Sequence, residues 1–294
     1  MEEQVYKPKN SVKIVTATSL FDGHDAAIGI MRRILQDSGA EVIHIGHNRS
    51  AKEVVDAAIE EDAQGIAVSS YQGGHVEYFK YMVDLLKENN ASHIKIFGGG
   101  GGVIIPMEMD ELHDYGVTRI YSPEDGANMG LQGMINDMIR SMDIPSVDYE
   151  NLAYEQLKIE NKYITANFIS AVQEAKADNK EVFAKISSEI SKLADIKDVP
   201  VIGLTGTGGA GKSSLTDELI IRILMDLKDV NIAIVSCDPS RRKTGGALLG
   251  DRIRMNSIET GRVYMRSLAT RRSQTELPEA LPDAINVVKA AGYD

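Results

Sequence analysis

The chain has 294 residues, enough for two domains with separate cores, and carries a net charge of −11 and one cysteine. An acidic balance excludes a duplex nucleic-acid partner, whose binding rests on neutralising phosphates with Lys and Arg, so any phosphate site must be local. Cys237 cannot close an internal disulfide, no apolar run approaches membrane-spanning length, and the polar start Met1-Glu2-Glu3-Gln4 lacks a secretory signal, so a cytoplasmic location with no membrane partner is expected.

From Val12 to about Arg140 short apolar runs alternate with helical patterns, the pattern of a parallel sheet covered on both faces. Strands are expected at Val12 to Ala17, Glu41 to Ile45, Gly65 to Ser69, His93 to Phe97 and Arg119 to Tyr121. Helices are expected at Ala26 to Ser38, Ala51 to Asp62, His75 to Asn89, Pro106 to Asp114 and Ala127 to Met142. Five such units make an α/β, flavodoxin-like (Rossmann-type) domain over residues 1–145, with strand order 2-1-3-4-5 and a ligand crevice between strands one and three.

Three loops then open on one sheet edge. The first holds Leu20-Phe21-Asp22-Gly23-His24-Asp25, the second Ser69-Ser70-Tyr71-Gln72-Gly73-Gly74, and the third the run Gly98 to Gly102. An Asp two residues before a His can accept from one ring nitrogen while the other is left to coordinate a metal. Five consecutive glycines are costly in chain entropy and imply a close backbone approach. His44, His47, His75, His93 and His113 have no such spacing and are read as surface or packing residues.

These residues resemble the cobalamin-binding domains of adenosylcobalamin-dependent mutases and methionine synthase, whose motif runs Asp-x-His-x-x-Gly, Ser-x-Leu and Gly-Gly. Ala27 stands where the motif has Gly, and Tyr71 where it has Leu. The resemblance implies that His24 ligates cobalt from below, with Asp22 hydrogen-bonded behind it. It also implies that the displaced nucleotide tail enters a slot between Ser69 and the glycines Gly98 and Gly99.

Residues 146–198 are helix-favouring and charge-rich, with weak amphipathic periodicity, and are read as a helical linker with one packed face. At Val199 an apolar run, expected as a strand, leads into Gly206-Thr207-Gly208-Gly209-Ala210-Gly211-Lys212-Ser213-Ser214 and then a helical pattern. This is a P-loop, G-x-x-x-x-G-K-[ST]. Gly209, Ala210, Gly211 and Ser214 would help cradle phosphates with backbone N–H groups. Lys212 would meet the outer phosphates as the catalytic cation, and Ser213 would bind Mg²⁺.

A strand at Asn231 to Ser236 ends in Cys237-Asp238-Pro239, where Asp238 can reach the metal or its water; Cys237 reads as a small strand-end hydrophobe. A further strand near Arg262 to Leu268 and a helix from about Glu276 to Ala291 follow. Neither the second acidic motif of a P-loop GTPase nor an Asn-Lys-x-Asp loop appears, so residues 199–294 read as the first part of a P-loop GTPase α/β domain, and hydrolysis by this chain alone is not expected.

The segment Ser240 to Met255 resembles the switch region of the GTPases that act as chaperones for cobalamin mutases, which implies that Asp238 and Asp251 serve Mg²⁺ and Arg254 the nucleotide. The order cobalamin domain, bridge, GTPase resembles the fused isobutyryl-CoA mutases. That resemblance implies adenosylcobalamin and Mg²⁺ with GTP as cofactors, isomerisation of isobutyryl-CoA to n-butyryl-CoA, and cofactor loading gated by GTP. The acyl-CoA would bind a carboxy-terminal barrel absent here, and the full-length protein would be a homo-oligomer. Two other readings stand beside it: a free-standing P-loop NTPase regulator whose first domain senses another small ligand, and a truncated product that keeps only a partner-binding surface.

Overall fold

The structure is a computed structural model describing residues 4–194, 198–241, 243–271 and 277–294. In chain order the first elements are β1 (Lys13–Ser19), α1 (Ala26–Asp37), β2 (Glu41–Arg49), α2 (Ala51–Glu60), β3 (Gly65–Ser69), α3 (His75–Glu88), β4 (Lys95–Gly99), α4 (Pro106–Tyr115), β5 (Arg119–Tyr121) and α5 (Pro123–Met142). There follow α6 (Lys162–Asp178), α7 (Lys180–Ala194), α8 (Lys212–Asp226), β6 (Ile232–Asp238), β7 (Ala247–Leu249), β8 (Val263–Ala269) and α9 (Leu281–Ala291). The chain divides into two compact units, Met1–Ser146 with Pro239–Leu249, and Val147–Asp238 with Gly250–Asp294.

In the first unit the sheet order is β5-β4-β3-β1-β2-β7, with parallel pairing throughout. Strands one to five thus take the flavodoxin-like order 2-1-3-4-5. Side-chain alternation sends Ile14, Ala67, Phe97 and Tyr121 to one face, where they pack with Leu35 of α1 and Met134, Ile135 and Met138 of α5. Gly98 points the other way, since a Cβ there would lie 2.5 Å from Phe79 of α3.

Helix starts are built locally. Ser50 and Glu53 form a capping box on α2, and Ser122 and Asp125 one on α5 with Pro123 in its first turn. The α1 entrance has no side-chain cap; the residues before it are occupied by the site. α5 breaks at Gly130 (φ 66°, ψ 174°), ahead of the half that buries Met134 to Met142.

The sixth strand, β7, was not foreseen. Residues 247–249 run parallel to β2, with Glu41, Val42 and Ile43 opposite Ala247, Leu248 and Leu249. A side chain at Gly246 would stand 2.0 Å from the Gln36 carbonyl, so only glycine permits that approach.

In the second unit β6 and β8 pair in parallel. Tyr264 and Leu268 of β8 face α6, α7 and α9, packing with Phe168, Val172, Ile186, Ile190 and Val287. Val263 and Met265 face the opposite cluster with Ile220 and Leu224 of α8. The segment expected as a linker therefore supplies core. Phe168 to Val172 is buried at five successive positions of α6, and a helix covered on most sides shows little amphipathic contrast. The strand expected before the P-loop is irregular, with Val201 and Ile202 57% and 74% exposed, because no strand among the described residues pairs with it. Of the last expected helix, Glu276 lies outside the described residues; the helix itself starts at Leu281.

Candidate functional site

At the carboxyl end of β1 the Asp22 side chain is fully buried, while that of His24 is 64% exposed. Asp22 Oδ1 accepts from the His24 amide at 2.9 Å and lies 2.7 Å from His24 Nδ1. A carboxylate only accepts, so a proton shared in this contact sits on Nδ1, and Nε2 is not engaged by Asp22. Asp22 Oδ2 accepts from the Tyr71 amide at 2.5 Å, which ties the loop after β1 to the loop after β3. Burial opposes ionisation of Asp22, but the amide bonds from Tyr71 and His24 outweigh it and hold its carboxyl below the usual range. An exposed imidazole oriented by a buried carboxylate is a donor arrangement that suits a metal.

Beside it the sheet end is lined by small groups. Thr18, Ser69 and Gly99 occupy neighbouring register positions on the face that carries α1 and α5, and Ser69 Oγ donates to Thr18 Oγ1 at 3.3 Å. A Cβ at Gly99 would meet nothing nearer than the Tyr121 carbonyl at 3.5 Å. Of the expected tail residues, Ser69 and Gly99 therefore share the slot face. Gly98 does not: it is a core residue of the opposite face. Gly100 serves the loop instead, since a Cβ there would stand 1.9 Å from the Ser70 carbonyl. Thr18 and Ser69 are buried, so this face of the sheet end carries small groups and no bulky side chain at these three positions.

Sequence reasoning missed Thr18 and Ser19, the second joined Oγ to Oγ with Ser70 at 2.8 Å. Two-residue alternation along β1 and β3 was the signal that could have found them. It also passed over Phe21, 81% exposed, with left-handed backbone (φ 62°) and its amide donating to Asn48 Oδ1 at 2.8 Å. The other histidines among the five set aside are structural where bonds are seen. His75 lies 3.0 Å from Glu108 and 3.2 Å from the Gln72 carbonyl, bracing α3 against α4, and His113 accepts from the Ile120 amide.

In the second unit Gly209 and Gly211 take the left-handed conformation (φ 79° and 85°) and α8 begins at Lys212, so the loop has the backbone of an anion cradle at a helix start. Lys212 Nζ donates to the carbonyls of Gly206 and Thr207 at 2.7 and 3.0 Å. Ser213 Oγ donates to Asp251 Oδ1 at 3.1 Å, and Arg254 lies 3.6 Å from that same carboxylate oxygen. Asp238 is the last residue of β6; burial first, then the Asp238 and Asp251 carboxylates, push the Cys237 thiol up to about 11 and make it a poor nucleophile. Ser213, Asp251 and Arg254 are thus brought together; Ala210 and Ser214 lie in the same loop and first helical turn. Among the described residues no three His, Cys, Asp or Glu side chains group as a metal site.

Both halves have relatives. Residues 12–131 match the family described as B12 binding domain, and residues 165–294 the family described as Methylmalonyl Co-A mutase-associated GTPase MeaB. A fused isobutyryl-CoA mutase of Geobacillus kaustophilus is 62% identical over 99% of this chain and 27% of its own length. Over its whole extent this chain matches the fused isobutyryl-CoA mutases. Those of Cupriavidus metallidurans and Nocardia farcinica are 58% and 51% identical, over 98% and 100% of this chain and 26% and 27% of their own lengths. The chain spans about a quarter of the length of the fused isobutyryl-CoA mutases it matches. No helix among the described residues is long and apolar enough to cross a membrane.

Proposed function

We propose that this chain is the cofactor-carrying and nucleotide-responding part of an adenosylcobalamin-dependent acyl-CoA mutase that interconverts isobutyryl-CoA and n-butyryl-CoA. The observation that carries the reading is the exposed His24 imidazole, its Nδ1 held 2.7 Å from a buried Asp22 at the end of β1. His24 would ligate cobalt through Nε2, Asp22 would fix its tautomer, and Thr18, Ser69 and Gly99 would line the slot for the nucleotide tail. Bound there, adenosylcobalamin supplies the carbon-centred radical that begins skeletal rearrangement. The chain's own part is to hold the imidazole, orient it and keep the slot free of side chains.

The second unit would bind GTP with Mg²⁺ and gate cofactor loading. Gly209, Ala210, Gly211 and Ser214 would surround the phosphates and Lys212 would neutralise them once it leaves the loop carbonyls. Ser213, Asp238 and Asp251 would serve Mg²⁺, and Arg254 the nucleotide. The acyl-CoA would be held by parts of the full-length protein outside this chain, in the cytoplasm and in a homo-oligomer.

Titration with adenosylcobalamin tests the first half. The visible spectrum is expected to show the dimethylbenzimidazole base displaced, and the cobalt(II) form an electron-spin signal split by one histidine nitrogen. His24→Ala is expected to abolish that splitting and weaken binding at least tenfold; an unchanged signal in His24→Ala would refute the ligand assignment.

A further inference from the structure

Asp22 alone does not fix the His24 ring. The amide and Nδ1 of His24 both meet the same oxygen, Asp22 Oδ1, at 2.9 and 2.7 Å. A ring held at one atom can still turn about that contact, and with 64% of the side chain exposed, solvent leaves it room to do so. A second wall is present. The Tyr71 ring lies 5.5 Å from the imidazole, centroid to centroid, tilted by 46°, within the range of attractive aromatic pairs.

Tyr71 is itself held in place. Its amide donates to Oδ2, the other oxygen of Asp22, and its ring lies over the glycine run, where a Cβ on Gly101 would come within 3.1 Å of Tyr71 Cε1. Gly101 is left-handed (φ 58°), so the loop reserves this space by conformation as well as by lacking a side chain. One buried carboxylate thus sets both the imidazole and the ring beside it. The leucine of the Ser-x-Leu pattern could make the same amide bond but could not offer a flat face.

We infer that Tyr71 is a positioning residue for His24: its ring restricts imidazole rotation, so that Nε2 is presented to the metal before the cofactor arrives. The inference rests on the cobalamin reading of the site. Its energetic basis is pre-organisation, the removal of a rotor that binding would otherwise have to freeze. Because the effect runs through the imidazole, it does not depend on the cofactor's nucleotide tail.

The test compares two corrinoids on the whole chain, adenosylcobalamin and adenosylcobinamide, the second lacking the tail. Tyr71→Leu is expected to weaken both by about the same factor, roughly fivefold, and to broaden the histidine-nitrogen splitting of the cobalt(II) signal. Tyr71→Phe, which keeps the ring, is expected to behave as wild type. Loss confined to adenosylcobalamin would mean that Tyr71 touches the tail, and equal loss in Tyr71→Phe would mean that the hydroxyl matters; either overturns the inference, as does no loss in Tyr71→Leu. A check that needs no corrinoid is the proton spectrum of the chain alone. His24 ring protons are expected to be shifted by the Tyr71 ring current and to move on Tyr71→Leu, and unshifted resonances would overturn the inference too. Failure of wild type to bind either corrinoid would instead sink the cofactor reading, with the ring-current shift still deciding whether Tyr71 orients the imidazole.

Discussion

His44 shows how a buried side chain can couple the stability of the fold to pH. It is buried on β2 opposite Thr16 of β1, with Nδ1 3.0 Å from Thr16 Oγ1. Burial first, then the Arg32 guanidinium, depress its pKa from 6.5 to about 4. The folded chain therefore keeps the ring neutral where the unfolded chain takes up a proton. Stability is full above 6.5, falls as pH drops towards 4, and levels below that. Discounted for solvent reach, the loss amounts to about 2 kcal/mol. Urea unfolding of His44→Gln across this window should give a flatter profile than wild type, and parallel profiles would contradict the assignment. Spacing alone left His44 as a surface or packing residue. Its titration was not legible, because the burial comes from sheet pairing and from Arg32 of a helix packed above it.

At the scale of elements, the glycine run illustrates what a sequence shows and hides. Five glycines in a row announced a close approach, and the structure divides them among different tasks. Gly98 makes room for Phe79 and Ile120, Gly100 for the Ser70 carbonyl, and Gly101 for a left-handed turn, while a Cβ on Gly102 would meet nothing. Gly100→Ala forces backbone apart and is expected to cost roughly 1–3 kcal/mol, whereas Gly102→Ala should stay within about 0.5 kcal/mol. Thermal unfolding of the two variants checks this; equal shifts would mean that the loop does not pack as seen. The Asp22 and His24 pair was legible because both lie within five residues of the end of β1 and two residues of each other. The Thr18, Ser69 and Gly99 face was not, because it depends on the register of three strands brought together from separate parts of the chain. The same limit explains α6 and the run before the P-loop. A helix of mixed polarity that is buried on most sides looks like a linker in one dimension, and an alternating run becomes a strand only beside another.

For the molecule as a whole, element order carried the fold. Alternating strands and helices, with a helix start at Pro106, gave the five-strand core before any contact was known, though α5 begins at Pro123 and not at Ala127. What order could not show is that residues after Asp238 return to the first unit. β7 covers the outer edge of β2, with Glu41, Val42 and Ile43 hydrogen-bonded along it. Cutting the chain after Ser146 would strip that cover and expose a row of unsatisfied amides and carbonyls, the kind of border that recruits stray strands from neighbours. A 1–146 fragment should therefore sediment with a mass that climbs with concentration, and a synthetic 239–249 peptide should bring it back to a monomer. A fragment that stays monomeric without the peptide would show that the border is guarded by something else.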